Sequence, residues 1–317
     1  MEALLKVKDL KKYFKTPSGN LRAVDGLSFD IAPRTTLGVV GESGCGKTTL
    51  GRTILQLQEP TSGSIYFKGE DISRVSKRKF KQLRQDMQII FQDPFSSLNP
   101  RMTVKQIISE PMEIYKTCKT KGELEDRVKK MMDIAGIASR FALSYPHELD
   151  GGRRQRIGIA RALSLNPEFI VCDEPVSALD VSIQAQILNL MQDLQEELGL
   201  TYMFITHDLS VVKHISQNIL VMYLGKMVEY AASDELFENP LHPYTKALLS
   251  AIPVLDIDIK RERILLQGEI SSPIDPPPIC RFSPRCPMKM DICTKEEPRP
   301  VEAGEGHLVS CHQYCSK

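Results

Sequence analysis

The stretch that decides the fold class is Thr36-Leu37-Gly38-Val39-Val40-Gly41-Glu42-Ser43-Gly44-Cys45-Gly46-Lys47-Thr48-Thr49. Its first five residues predict a strand buried on both faces, and a helical stretch begins near Lys47. From Gly41 to Thr48 all eight positions match a phosphate-binding loop, in which backbone N–H groups and the helix dipole hold an anionic phosphate. A glycine-rich turn that merely joins strand to helix has no need for the Lys-Thr pair. The residues predicted to contact the phosphates are Gly41, Ser43, Gly44, Cys45, Gly46, Lys47, Thr48 and Thr49.

Two side chains of this loop carry specific chemistry. The Lys47 ammonium is expected to reach the β and γ phosphates, and the Thr48 hydroxyl is expected to bind Mg²⁺. A second part of the same chemistry follows the apolar run 169–172, which ends in Asp173 and Glu174. Asp173 can hold Mg²⁺ through water, and Glu174 can orient or deprotonate the attacking water. These features predict a nucleoside triphosphatase.

Hydrophobic patterning on both sides of the loop predicts an α/β chain with two kinds of sheet. Alternating segments at 5–7, 21–31 and 65–67 predict antiparallel strands, and continuously apolar segments at 36–40, 87–91, 169–172 and 203–205 predict parallel strands covered by helices. Helical spacing is seen at 104–137, 152–165 and 183–198, and a hairpin is predicted from 219–223 and 227–230.

Composition excludes several classes of protein. The chain has 317 residues with 42% hydrophobic and 26% charged, and 41 basic against 40 acidic side chains give a net charge of +1. This balance does not suggest electrostatic binding to nucleic acid. No apolar run approaches the length needed to cross a bilayer, and no signal-peptide core is present, so a cytosolic chain is expected.

Several further motifs resemble those of ATP-binding-cassette (ABC) ATPases. The segment from Leu149 to Arg156 is similar to the family signature, and 177–180 is similar to the D-loop. The resemblance implies that Gln92 belongs to the Q-loop and also helps to bind Mg²⁺, and that His207 is the switch histidine. Tyr13 would stack on adenine, with Phe14 as its rival. The resemblance also implies nucleotide contacts, across a cassette dimer, from Asp150, Gly151, Gly152 and Asp180.

A narrower resemblance covers essentially the whole chain. Segments 91–100, 145–149 and 239–245 are similar to cassettes of dipeptide and oligopeptide importers and their nickel-importing relatives. This implies two transmembrane permease subunits as partners, with segment 93–100 receiving a coupling helix of a permease. It also implies a second ABC ATPase subunit, an indirect link to an extracytoplasmic substrate-binding protein, and a peripheral location at the cytoplasmic face of the membrane. No nucleic acid partner is expected.

The signature departs from the family pattern at two positions. The pattern is Leu-Ser-Gly-Gly-Gln, whereas this chain has Asp150 in place of the serine and Arg153 in place of the glutamine. Asp150 can cap the helix, but its negative charge would repel a phosphate unless Arg153 neutralises it or itself reaches the phosphate. We therefore expect a heterodimer with one competent site, which uses Gly41–Thr48 and Glu174 of this chain. Tolerated drift in a homodimer is the alternative.

Five of the eight cysteines lie in the last 38 residues, among many prolines. Because clustered thiols in a reducing compartment point to a metal, this tail is expected to be cross-linked through one. The spacing of Cys280, Cys286, Cys293 and Cys311 does not choose between zinc and an iron–sulfur cluster. Resemblance to the C-terminal motif of peptide-importer cassettes favours a [4Fe–4S] cluster on these four, with Cys315 spare.

The sequence thus predicts a P-loop ABC cassette over residues 1–240, with a mixed central sheet, an antiparallel β subdomain and a helical subdomain inserted at about 100–165. Residues 241–317 are expected to form a small extension with the metal cluster. The expected function is ATP hydrolysis that drives import of di- or oligopeptides. Alternatives are a nickel or other small-solute importer subunit and an ABC ATPase acting on nucleic acid or ribosomes.

Overall fold

The glycine-rich loop follows a short strand whose five residues are all buried, β3 (Thr36–Val40). The computed structural model describes residues 2–252, 263–268 and 272–315. The chain forms two units, one from Met1–Arg74 with Phe204–Lys317 and one from Val75–Met203. They are described separately below, and the α/β class with a mixed sheet is confirmed.

The first unit contains an antiparallel layer of four strands. Leu5 of β1 pairs with Ile31 of β2 on one side and with Phe67 of β4 on the other. These three side chains are at most 2% exposed, so alternate residues of the layer face a core. The layer has the order β2-β1-β4-β5 and consists of β1 (Leu5–Thr16), β2 (Gly19–Ile31), β4 (Ser62–Phe67) and β5 (Glu70–Asp71).

The same unit contains β3 in a mixed sheet. The predicted hairpin is confirmed as β9 (Asn218–Tyr223) and β10 (Lys226–Ala232), and β9 runs parallel to β3 with Leu220 opposite Val39. Two strands that the sequence did not predict, β11 (Val301–Gly304) and β12 (His307–Val309), extend this sheet from the C-terminal extension. Their apolar alternation is only a few residues long, which is too short to stand out from the proline-rich sequence around it.

Helices of the first unit are short and flank these strands. Helix α1 begins at Lys47, as predicted, and α10 begins with a proline after the capping His242. These helices are α1 (Lys47–Ile54), α8 (Leu209–Ile215), α9 (Ser233–Glu238) and α10 (Pro243–Ser250).

One hydrophobic cluster joins the C-terminal extension to the strand that precedes the loop. Val40 of β3 and Tyr223 of β9 belong to the same cluster as Tyr244, Leu249 and Phe282. All five are at most 5% exposed. The extension therefore supplies part of the core behind the glycine-rich loop, since burial of apolar surface is the main force that orders such a segment.

The second unit is mainly helical and carries two parallel strands, with Met87 of β6 opposite Phe169 of β7. The chain leaves this unit within β8 (Thr201–Thr206). The other elements are α2 (Lys77–Asp86), β6 (Met87–Ile90), α3 (Pro94–Ser97), α4 (Val104–Tyr115), α5 (Lys121–Ile134), α6 (Gly151–Leu163), β7 (Phe169–Asp173) and α7 (Val181–Leu198).

The helical block predicted at 104–137 is two helices rather than one. Lys116 ends α4 in the left-handed conformation with φ 53°, and Thr120 caps α5 by accepting a hydrogen bond from the N–H of Glu123. A threonine followed three residues later by glutamate is a helix-start signal. Within the described ranges, no helix has both the length and the apolar character of a membrane-spanning helix.

A buried carboxylate joins the C-terminal extension to β10. Glu229 is fully buried and accepts hydrogen bonds from the N–H groups of Leu241 at 2.6 Å and His242 at 3.0 Å. His307 of β12 places its Nε2 2.8 Å from the same carboxylate, and this hydrogen bond raises the pKa of His307. A protonated His307 therefore stabilises the attachment of β12.

The His307→Gln variant is expected to lose a pH-dependent part of the stability. Because the folded pKa of His307 is raised, the charged pair contributes fully below the unfolded pKa of about 6.5 and its contribution is lost as the pH rises through the folded pKa. We expect the variant to be less stable than the parent by about 2 kcal/mol at low pH and by less at high pH. Thermal unfolding across the pH range measures this, with the exposed His147→Gln as control. An equal loss at both ends of the range would contradict it.

Candidate functional site

The glycine-rich loop has the conformation that its sequence predicts. Gly41 has φ 154° and Gly46 has φ 107°. A Cβ atom would lie 2.2 Å from the carbonyl oxygen of Met222 at Gly41 and 1.9 Å from that of Ala23 at Gly46. Only glycine fits there, because these backbones approach too closely for a side chain.

Lys47 points back into its own loop. Its Nζ donates to the carbonyl oxygens of Gly41 at 2.6 Å and Glu42 at 3.1 Å, and the residue is 5% exposed. A buried ammonium held by carbonyl dipoles can exchange them for phosphate oxygens, which accept stronger, charge-assisted hydrogen bonds. Thr48 and Thr49 of α1 are partly buried, whereas Ser43 and Gly44 are exposed at the loop tip and Cys45 is buried.

Tyr13 lies on β1 and its hydroxyl is anchored. It donates to Asp25 Oδ1 at 2.5 Å, and Arg22 lies over the tyrosine ring with its Cζ 5.6 Å from the centroid. Burial and then this hydrogen bond raise the pKa of Tyr13, so the phenol stays neutral. Burial acts to raise the pKa of Asp25, but the bond from Tyr13 and the charges of Lys226 and Arg281 lower it. The Tyr13 ring is thus fixed in orientation.

His207 directly follows β8 and lies exposed before α8, whose N-terminus is capped by Asp208. It belongs to the first unit, together with the glycine-rich loop and Tyr13.

In the second unit, two predicted residues form one group. Gln92 follows β6 and donates from Nε2 to Glu174 Oε2 at 3.0 Å. Glu174 follows β7 with φ 47°, a conformation that is costly for a residue other than glycine. Ser177 donates from both its N–H and its hydroxyl to the Glu174 carbonyl, which helps to hold this backbone. Asp173 beside it is 2% exposed.

The altered signature is neutralised locally. Asp150 caps α6 by accepting from the Arg153 N–H at 2.8 Å, and Arg153 Nη1 donates to Asp150 Oδ2 at 2.5 Å. The predicted cap and neutralisation are both found. Arg153 also lies over the Phe141 ring with its Cζ 4.9 Å from the centroid.

The signature glycines contact the D-loop region. A Cβ atom on Gly151 would lie 3.2 Å from Leu179 Cδ2, and one on Gly152 would lie 2.7 Å from Ile183 Cγ2. Asp180 precedes α7 and is exposed. The small residues at 151 and 152 therefore allow α6 to pack against the start of α7, a role that sequence analysis missed.

The predicted Mg²⁺ ligands are divided between the units, with Thr48 in the first and Gln92 and Asp173 in the second. Their hydroxyl, amide and carboxylate oxygens are donors of the kind that Mg²⁺ prefers, and they fit the ion chemically. Thr48 lies in the first turn of α1, Gln92 follows β6, and Asp173 is the last residue of β7.

The C-terminal cysteines do not form a recognisable metal site. Within the described residues, no group of three or more His, Cys, Asp or Glu side chains is arranged to hold a metal ion. The prediction of zinc is therefore not supported, and neither is that of a cluster. Burial raises the pKa of Cys280 to about 11, and it also raises the pKa values of Cys286 and Cys311. Spacing in the sequence did not reveal this burial, which favours neutral thiols.

Two of these cysteines are joined through their backbones. The N–H of Cys280 donates to the Cys293 carbonyl at 3.1 Å. Cys315 is exposed, and its thiol lies 3.3 Å from the Cys311 carbonyl.

The chain is similar to known proteins in both sequence and structure. A family model described as "ABC transporter" matches residues 24–177, and one described as "Oligopeptide/dipeptide transporter, C-terminal region" matches residues 228–293. Among solved structures, the dimeric ATP-binding cassette MJ0796 bound to ADP and Pi has a TM-score of 0.66 at 28% identity, covering 72% of this chain and 98% of its own. The cbiO1 protein of Clostridium perfringens has a TM-score of 0.67 at 28% identity, covering 75% and 92%.

Several curated relatives match nearly the whole chain. The oligopeptide transport ATP-binding protein AppF of Bacillus subtilis is 54% identical over 99% of this chain and 98% of its own length. OppF of the same organism is 59% identical over 83% and 87%. A putative peptide import ATP-binding protein of Brucella ovis is 51% identical over 97% of both chains. The chain therefore belongs to the ABC ATPase family, within the group of oligopeptide and peptide transport ATP-binding proteins.

Proposed function

We propose that this chain is the ATP-hydrolysing subunit of an ABC importer for di- or oligopeptides. The observation that carries the proposal is the buried Lys47 ammonium, held by carbonyl groups of a loop whose glycines admit no side chain. This arrangement is suited to binding a triphosphate.

In the proposed reaction, the loop Gly41–Thr48 binds the triphosphate and Lys47 exchanges its carbonyl partners for phosphate oxygens. Thr48, Gln92 and Asp173 would hold Mg²⁺, which neutralises charge on the phosphates when bound. Glu174 orients the attacking water and accepts its proton. The bond from Gln92 holds the Glu174 carboxylate in one orientation. By resemblance, His207 contacts the γ-phosphate and Tyr13 stacks on adenine.

We further propose that two cassettes pair head to tail and that this chain pairs with a different one. Across the pair, Asp150, Gly151, Gly152 and Asp180 would face the nucleotide of the other cassette. The Asp150–Arg153 ion pair supports a modified site, because it removes the repulsion but leaves no serine hydroxyl to donate to the γ-phosphate. The competent site would use Gly41–Thr48 and Glu174 of this chain.

The transport assembly proposed here has two permease subunits, contacted by residues 93–100, and a substrate-binding protein on the outer side. Phe95 in this segment is 63% exposed, which supports a contact surface for a partner. The chain would lie at the cytoplasmic face of the membrane. Peptide is favoured over nickel as cargo because the relatives described above carry oligopeptide or peptide transport in their names.

We also propose that Cys280, Cys286, Cys293 and Cys311 hold an iron–sulfur cluster. This proposal is supported by the resemblance to peptide-importer cassettes and by the match of residues 228–293 to the oligopeptide/dipeptide transporter C-terminal model. The Cys280 N–H also donates to the Cys293 carbonyl at 3.1 Å. The boundary between a cassette of residues 1–240, with helical subdomain 100–165, and an extension of residues 241–317 is likewise proposed. Deletion series judged by cooperative unfolding would test that boundary.

The Lys47→Met variant is expected to bind Mg-nucleotide at least about tenfold more weakly than the parent, since one or more charge-assisted hydrogen bonds are lost. Methionine keeps the apolar stem in the buried position. Isothermal titration calorimetry with a non-hydrolysable ATP analogue measures the affinity. Lys15→Met on the exposed end of β1 is the control, and an unchanged affinity of Lys47→Met would contradict the assigned site.

The Glu174→Gln variant is expected to lower the ATPase rate of the assembled transporter by about 10²-fold or more, with nucleotide binding retained. The neutral amide accepts no proton from the attacking water. Steady-state phosphate release measures the rate, and Glu196→Gln on the exposed face of α7 is the matched control. Retention of half the activity would refute the asymmetric pair, because its second site would then be competent.

The Cys286→Ser variant is expected to lose the brown colour and the iron and sulfide content of anaerobically purified protein. A serine in place of one thiolate removes a ligand of the proposed cluster. Visible absorbance and elemental analysis measure the loss, and Cys118→Ser is the control. A colourless parent without iron would contradict the cluster.

A further inference from the structure

The second residue of the phosphate loop is bound by an arginine of the C-terminal extension. Arg285 donates from Nη1 to Glu42 Oε2 at 2.7 Å and from Nη2 to Glu42 Oε1 at 3.1 Å. A bidentate pair of this kind fixes the orientation of a carboxylate better than a single hydrogen bond does. The Arg285 side chain is 8% exposed and that of Glu42 is 26% exposed, so the pair is shielded from solvent.

The position of Arg285 is fixed by aromatic packing. Phe282, three residues earlier, is 2% exposed and lies edge-on to Tyr223 with ring centroids 5.2 Å apart. Tyr223 also packs edge-on against Tyr244 at 4.8 Å. The Tyr244 hydroxyl accepts from the N–H of Glu42 at 2.9 Å. Backbone and side chain of Glu42 are therefore both held by residues beyond position 240.

A second arginine of the same segment contacts the hairpin turn beside the loop. Arg281 donates to the Leu224 carbonyl and to Asp25, the carboxylate that accepts from Tyr13. The next residue of the turn, Gly225, donates from its N–H to the Cys45 carbonyl at 2.8 Å. A second set of hydrogen bonds therefore connects the extension to the phosphate loop through the hairpin turn.

The charges of Glu42 and Arg285 bear directly on nucleotide binding. Glu42 lies within the loop that would receive a triphosphate, and an uncompensated carboxylate there would repel the phosphates. The guanidinium balances this charge through its two hydrogen bonds to the carboxylate. Removing Arg285 alone would leave a partly shielded negative charge beside the ligand.

We propose that Arg285 is a positioning residue for nucleotide binding: it orients and neutralises Glu42, so the C-terminal extension forms part of the phosphate site. The inference rests on the proposed function of the Gly41–Thr48 loop. It also goes beyond that function, because it makes affinity for nucleotide depend on a residue outside the cassette motifs.

The test compares Kd values for a non-hydrolysable Mg–ATP analogue, measured by calorimetry on the full chain. Arg285→Met is expected to raise Kd about tenfold. The double variant Glu42→Gln with Arg285→Met is expected to recover at least about threefold of that loss, because the repelling charge is gone. Added salt should also reduce the deficit of the single variant. Arg299→Met, an exposed arginine of the same extension, is the control and should leave Kd unchanged.

A merely structural role for Arg285 would give no recovery on Glu42→Gln and no salt dependence, and either result overturns the inference. An Arg285→Met variant with parental Kd also overturns it. If Arg285→Met does not unfold cooperatively, Arg285→Lys is used in its place. Because lysine retains the positive charge, its Kd should stay within about threefold of the parent value at low salt. A larger increase in Kd would contradict the inference that residue 285 neutralises Glu42. A parent chain that binds no nucleotide overturns the proposed function itself.

Discussion

The interaction on which the proposed site depends is the buried Lys47 ammonium bound to carbonyl oxygens of its own loop. A desolvated cation is costly unless it is fully hydrogen-bonded. The loop meets this requirement because its glycines let backbone carbonyls and N–H groups approach where a side chain would collide. The buried β3 strand places this loop, and helix α1 begins at Lys47 itself. The strand, the loop and the start of the helix together therefore place positive charge where an anionic ligand can bind.

In the second unit, the charged residue that follows a buried strand is acidic rather than basic. Glu174 keeps an unfavourable backbone conformation directly after a buried strand, and Gln92 holds its carboxylate. Such strain persists only where the surroundings fix it, and it is common in catalytic groups. Asp150 differs, because its charge is already compensated by Arg153 within one turn of helix. The two acidic residues therefore differ in their partners: the Glu174 carboxylate is held by a neutral amide, whereas the Asp150 carboxylate caps the start of α6 and pairs with an arginine.

The strand 36–40 was predicted from sequence to the residue, and the helix was predicted to begin near Lys47, where α1 does begin, because local pattern and motif determine them together. The boundary between α4 and α5 was missed: Thr120 and Glu123 do form a helix-start signal, but the left-handed Lys116 that ends α4 leaves none. The sequence named the site residues but not their partners. Glu42 and Arg285 are separated by 243 positions, and no periodicity connects them. The cysteine spacing indicated a metal, but it carried no information on how deeply the thiols are buried.

Phe282, Tyr244 and Leu249 complete the apolar cluster that contains Val40 of β3. Removing the C-terminal extension would expose this apolar cluster to solvent, directly behind the strand that leads into the phosphate loop. A different extension fused to this cassette would therefore restore the core only if its side chains filled the same space.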